Sequence, residues 1–278
     1  MPRLRFYARP LAFAAAGILF TSANSAGDSR YQIASREVVE SRLRQYTGEN
    51  QQREATLRNL FTEVGCDEQH LSEQSVKDSK LPNVICVFPG TSDKVIIVGA
   101  HFDRVSAGDG VVDNWSGASL LPSLYFAVKA QPRKHSYIFI GFTDEEKGLV
   151  GSHFYARHMT PQQIAATDAM VNMDTLGLAP TEIWSSHSDK TLASVLVHIA
   201  KLLNVPVTGV NVEQVGSTDS VEFSALKIPS ITIHSLNQQN YNARILHTSK
   251  DKFSAINLDD YYQTYRLLAA YIAYLDQL

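Results

Sequence analysis

Five side chains able to hold a metal, His101, Asp113, Glu146, Asp174 and His247, each sit just past an apolar run of the kind that forms a β-strand. The strings are V-G-A-H-F-D at 98–103, V-V-D-N-W-S-G at 111–117, F-T-D-E-E-K-G-L-V-G-S at 142–152, V-N-M-D-T-L-G at 171–177 and I-L-H-T-S-K-D at 245–251. Two imidazoles with three carboxylates form a nitrogen and oxygen donor set suited to a pair of Zn²⁺ ions. Glu145, the neighbour of Glu146, is left over to handle a proton. Donors for two cations beside a spare carboxylate are the equipment of hydrolysis by an activated water.

Taken singly, each string has an ordinary alternative. His101-Phe102-Asp103 puts both polar side chains on one side of an extended segment, so Asp103 can fix the imidazole's orientation; the same pattern also occurs at plain strand ends. Asp113-Asn114 ahead of Ser116-Gly117 suits a turn or a helix cap as well as a metal, and Asp109 rivals Asp113 on chemistry alone. Asp144-Glu145-Glu146 is a solvated loop in most settings. Here it follows an apolar run and precedes Gly148 and Gly151-Ser152, and two cations would make such clustering favourable. Asp174 before Gly177 can be a turn residue. His247 is followed by Asp251, placed to act as its outer partner. His70, His135, His153, His158, His187, His198 and His234 lack such a context and read as surface or core residues. Asp219 reads as a helix cap, with recognition of a substrate amine as the alternative.

The elements that must position these groups are legible as alternating runs. Strands are expected at Asn83–Phe88, Val95–Ala100, Ser136–Phe142, Ala169–Met173, Ile183–Ser185 and Ser230–His234, with one more around Gln74–Val76. Helices are expected at about Ser35–Tyr46, Gln51–Val64, Ser116–Ala130, Ser152–His158, Lys190–Leu203 and Leu258–Leu278, and Pro122 should kink the third. The alternation predicts a three-layer α/β/α fold with a central, mostly parallel mixed sheet. Ligands in such sheets collect outside the carboxyl ends of the strands, where His101, Glu145, Glu146 and Asp174 fall.

The five strings in this order resemble the zinc aminopeptidase family of bacterial secreted leucyl aminopeptidases, a branch of the dinuclear metallopeptidases. The resemblance runs from about Pro82 to the C-terminus. It implies two Zn²⁺ ions bridged by Asp113, one completed by His101 and Asp174, the other by Glu146 and His247. It further implies Glu145 as general base, Asp103 as the partner that orients His101, and a peptide substrate. One position departs: the family often has Tyr directly before the last histidine, where this chain has Leu246, and Tyr241 is a candidate stand-in. The rival readings are a glutaminyl cyclase, a relative that works with one zinc, and a binding protein that keeps the fold without the chemistry.

The 278 residues carry a formal net charge of -3 and no cluster of Lys and Arg, which gives no basis for a nucleic-acid partner. Arg3, Arg5 and Arg9 precede the apolar run Leu11–Phe20 and then Thr21-Ser22-Ala23-Asn24-Ser25-Ala26, the order of a secretory signal. The expectation is a signal at 1–26, a single catalytic domain at 27–278, export to the periplasm or medium, and no membrane association after cleavage. Cys66 and Cys86 are the only cysteines. In an oxidising compartment they form either a disulfide or, with Cys86 in a buried strand, free thiols.

Overall fold

A computed structural model describes residues 31–278; the expected signal at 1–26 lies outside them. The described residues form one eight-stranded sheet in the order β1-β2-β4-β3-β5-β8-β6-β7. The strands are β1 Leu71–Gln74, β2 Asn83–Phe88, β3 Val95–His101, β4 Ser136–Phe142, β5 Thr167–Met173, β6 Thr181–Trp184, β7 Val207–Val210 and β8 Ser230–His234. The run β4-β3-β5-β8 is parallel, whereas β1-β2, β2-β4 and β8-β6 pair antiparallel, so the sheet is mixed with a parallel centre.

The central strands are covered on both faces, which is why they read as nearly unbroken apolar runs. In β3, V-I-I-V-G-A-H, every residue after Val95 is buried. Alternate side chains part to opposite layers. Ile96, Val98, Ala100, Phe139 and Val171 join the larger core with the helices Arg36–Leu43, Asn50–Glu63, Leu121–Val128, Lys190–Leu203 and Leu258–Leu275. Ile97, Ile140, Phe142 and Met170 face the smaller core, with Phe223 of the helix Ser220–Ala225 and Tyr155 of the helix Val150–Arg157.

Differences from expectation are local. The expected helix Ser116–Ala130 is two pieces, Ser116–Ala118 and Leu121–Val128, with Pro122 in the first turn of the second, where its missing N–H costs nothing. The early strand lies at Leu71–Gln74. β7 escaped notice because V-T-G-V is short, and its two central residues are exposed.

Cys66 and Cys86 form a disulfide that ties the segment after the Asn50–Glu63 helix to β2. It closes a loop of 20 residues. Cys86→Ala is therefore expected to cost about 2–4 kcal/mol in denaturant unfolding, and non-reducing peptide mapping should recover the linked pair.

Glu182 in β6 is buried, and its Oε2 accepts no hydrogen bond, with His234 Nδ1 3.9 Å away. Burial raises its carboxyl to about 7. A raised carboxyl contributes stability that is complete below the ordinary glutamate range and is lost as pH climbs through about 7. Glu182→Gln should thus raise the melting temperature more at pH 8 than at pH 5. A pH-independent difference would show that the residue does not bury charge.

Candidate metal centre

Three parallel strands deliver their carboxyl ends to one edge of the sheet. His101 is the last residue of β3 and is buried. Glu145 and Glu146 begin a short 3₁₀ turn just past β4, and Asp174 immediately follows β5. Asp113 sits in the buried turn Val111–Trp115, and its peptide bond to Asn114 is cis. His247 approaches from the loop after the helix Gln238–Asn242.

These residues converge. Asp113 Oδ1 lies 3.2 Å from His101 Nε2, and Asp113 Oδ2 lies 3.1 Å from His247 Nε2. The two oxygens of one carboxylate thus face two different imidazoles. Around His101 stand Asp174, 3.7 Å from Nε2, and Glu145, 3.9 Å away. Around His247 stands Glu146, with Oε2 at 2.9 Å. Donor atoms of His101, Glu145 and Asp174 fall within 4.8 Å of one another, as do those of Asp113, Glu146 and His247.

Neighbouring groups fix this geometry. Asp103 Oδ1 accepts the Glu145 N–H at 3.0 Å and Oδ2 the Glu146 N–H at 3.3 Å. The same carboxylate is 3.5 Å from His101 Nδ1, whose nearer contact is the Asp103 carbonyl oxygen at 3.2 Å. Asp103 therefore holds the acidic turn as firmly as it holds the imidazole. Asp251 accepts the N–H groups of Val112 and Asp113 at 2.8 and 3.1 Å, so the His247 loop and the Asp113 turn are joined by one side chain. Thr218 and Thr175 donate to the two oxygens of Asp174. The sequence assigns neither threonine a role towards Asp174, since a lone hydroxyl carries no spacing signal.

Asp103→Asn replaces one acceptor by an amide NH2 donor that opposes a Glu145 or Glu146 N–H. A loss of roughly 10–100-fold in zinc affinity or activity is expected, with the fold intact. A zinc titration matching the parent would leave Asp103 with no part in the site.

Without a cation the cluster is electrostatically frustrated. Burial, reinforced by Asp219, Asp174 and Asp113, drives Glu145 up to about 10 in spite of the nearby His101. Burial likewise raises Glu146. The imidazoles shift towards their protonated forms as well: hydrogen bonds to Asp113 and Glu146 raise His247 to about 10. For His101, burial is outweighed by Glu145, Asp103, Asp113 and Asp174, which raise it well above its usual range. Each shift reflects buried negative charge of the kind a bound cation neutralises. Glu146 Oε1 is also buried without a partner. A donor set of imidazoles and carboxylates with an orphaned oxygen fits zinc.

Asp219 corrects an expectation. It stands at the cap position of the helix Ser220–Ala225 but makes no capping bond. It is fully buried, and no bond to its own helix holds the carboxylate. Burial first, then Asp174 and Asp103, raise it to about 7, against the opposing pull of His101 and Ser152. The sequence pattern of a cap is the same whether the side chain turns back to the helix or inward, so only tertiary structure distinguishes them.

Asp113, Glu145, Glu146, Asp174 and His247 line a cavity of about 750 Å³. Trp184, Leu236, Ile245 and Leu246 give it apolar walls, and Tyr241 also lines it. Leu246, where a tyrosine was the resemblance's expectation, therefore contributes an apolar surface.

Residues 83–272 match the profile of peptidase family M28. Leupeptin-inactivating enzyme 1 of Streptomyces exfoliatus is 30% identical over 151 residues, 53% of this chain and 34% of that protein. The chain thus spans about a third of that relative's length. BSAP, a zinc aminopeptidase from Bacillus subtilis, superposes with a TM-score of 0.64 at 22% identity, over 70% of this chain and 50% of that one. A glutaminyl cyclase of an Acidobacteriales bacterium superposes with a TM-score of 0.72 at 17% identity, over 92% and 99%. At these identities the two structures establish the likeness of fold.

Proposed function

This chain belongs to peptidase family M28, and we propose that it is an exported aminopeptidase that cleaves peptide bonds at a two-zinc site. The observation that carries the reading is the single carboxylate of Asp113 facing two imidazoles through its two oxygens, each imidazole with acidic partners of its own. His101, Asp113 and Asp174 would hold one zinc, and Asp113, Glu146 and His247 the other.

Zinc bound there supplies Lewis acidity toward the scissile carbonyl and lowers the pKa of a water. The protein's own groups do the rest. Glu145 accepts the proton of the attacking water as the C–O bond forms, then donates it to the departing amine as the C–N bond breaks. Asp103, bound to the Glu145 N–H, sets where that carboxylate stands. The apolar walls of the cavity exclude water from the reacting atoms and favour an apolar substrate side chain.

Export rests on the pattern of residues 1–26 and is supported by the disulfide, which suits an oxidising compartment. Among the described residues no helix is long and apolar enough to cross a membrane.

The cyclase reading is favoured by one observation, the near-complete coverage of the Acidobacteriales enzyme. Metal counting and a peptide library separate the two. Two zinc ions per chain with loss of single N-terminal residues, read by mass spectrometry, supports the aminopeptidase. One zinc with conversion of N-terminal glutamine supports the cyclase. Loss from the C-terminus instead would redirect the reading to a carboxypeptidase.

A further inference from the structure

Arg53 is fully buried in the helix Asn50–Glu63, in a part of the chain that precedes the family match. Its hydrogen bonds go to main-chain carbonyls. Nε donates to Thr47 O at 2.8 Å, Nη1 to Phe102 O at 3.2 Å and Gly110 O at 2.9 Å, and Nη2 to Asp109 O at 2.5 Å. Phe102 directly follows His101, and Gly110 directly precedes the turn that carries Asp113. One guanidinium therefore bridges both ends of the loop that separates two of the proposed metal donors.

The grip is close. Gly110 has φ +60°, and a Cβ there would come within 2.5 Å of Arg104 Cβ and 3.0 Å of Arg53 Nη2. Arg104 reinforces the clasp by donating to Gly48 O, Val105 O and Gly108 O, while Asn50 holds its main chain. From the opposite side Asp251 takes the Val112 and Asp113 N–H groups, and its carbonyl accepts the Asp109 N–H at 2.7 Å. The loop is held between Arg53 and the His247 loop. Arginine suits this place because its planar fork presents five N–H donors at fixed angles, whereas a lysine ammonium, with three, cannot serve four separated carbonyls. Its charge also lies where Asp251, Asp103 and Asp113 act on it.

We infer that Arg53 is a positioning residue for the metal centre, clamping Phe102, Asp109 and Gly110 so that His101 and Asp113 stand at the separation that metal binding needs. The inference rests on the two-zinc reading above. It assigns to the N-terminal helical segment a part in assembling the site, beyond covering the sheet.

The test compares full-length parent, Arg53→Lys and Arg53→Met. Zinc affinity is read by competition with a chromophoric chelator, geometry by the visible spectrum after cobalt loading, and folding by thermal melting of the metal-free protein. Arg53→Met should weaken zinc about 10–100-fold, as loss of an outer partner does, and alter the cobalt spectrum. Arg53→Lys, which keeps the charge and some bonds, should fall between. If Arg53→Met does not fold, the lysine variant decides. Zinc affinity and a cobalt spectrum equal to the parent's in a folded variant, with only the melting temperature lowered, would overturn the inference and leave Arg53 a packing residue. Fewer than two zinc ions on the parent would instead overturn the site reading itself, and the clamp with it.

Discussion

Glu145→Gln should bind zinc like the parent and turn over at least roughly 10²–10⁴-fold more slowly, the usual cost of removing a general base. The amide keeps the volume and much of the hydrogen bonding but cannot accept a proton. The adjacent Glu146→Gln should give the opposite signature, losing metal first, because Glu146 is the group 2.9 Å from His247 Nε2. Glu145 is also among the donors near His101 and Asp174, so the alternative is concrete. If Glu145→Gln loses zinc while Glu146→Gln keeps it, the roles are reversed. Normal turnover in fully loaded Glu145→Gln would remove the proposed proton route.

The second large effect is expected at Asp113. Glu146 and His247 serve one side of the cluster and Asp174 the other, but Asp113 gives an oxygen to each. Asp113→Ala should therefore lower zinc content at both positions, by more than the roughly 10–100-fold that follows loss of an outer hydrogen-bond partner. Activity should fall with it and should not return at high zinc. Metal analysis after dialysis at graded free zinc checks this. Loss of only one ion would show that Asp113 belongs to a single position. Removal of its carboxylate also takes away one of the two partners that raise His247, leaving Glu146. The His247 imidazole should then titrate at lower pH in the metal-free variant, which NMR can follow.

His101, Glu145, Glu146 and Asp174 were legible because a parallel sheet has a simple rule, whereas the apolar runs before Asp113 and His247 form a turn and a loop rather than the expected strands. β3, β4 and β5 announce themselves as apolar runs, and whatever polar residue follows each run arrives at the same edge. The helices Lys190–Leu203 and Leu258–Leu275 were equally plain, each with a strong apolar stripe. What stayed hidden depends on depth rather than pattern. Arg53 stands in N-Q-Q-R-E-A-T, which reads as a solvated helix, yet it is wholly buried because carbonyls from a distant loop replace its water. Asp219 fits the local grammar of a cap while its carboxylate turns inward. Leu71–Gln74 and Val207–Val210 are short outer strands, half wetted and without the apolar run that marks the centre.

The donors span the chain from His101 to His247, and each belongs to a different segment. No neighbouring pair of elements contains the whole set, and the contacts that unite them, such as Asp251 to Val112, close loops of 139 residues. Such long-range contacts form late in folding, after the entropy of closing those loops has been overcome. A half-folded chain would therefore hold carboxylates and imidazoles but no assembled centre, and the proposed peptidase activity would arrive only with the finished fold. Under that proposal topology is itself a safeguard: in refolding, activity should return no earlier than the slowest structural signal.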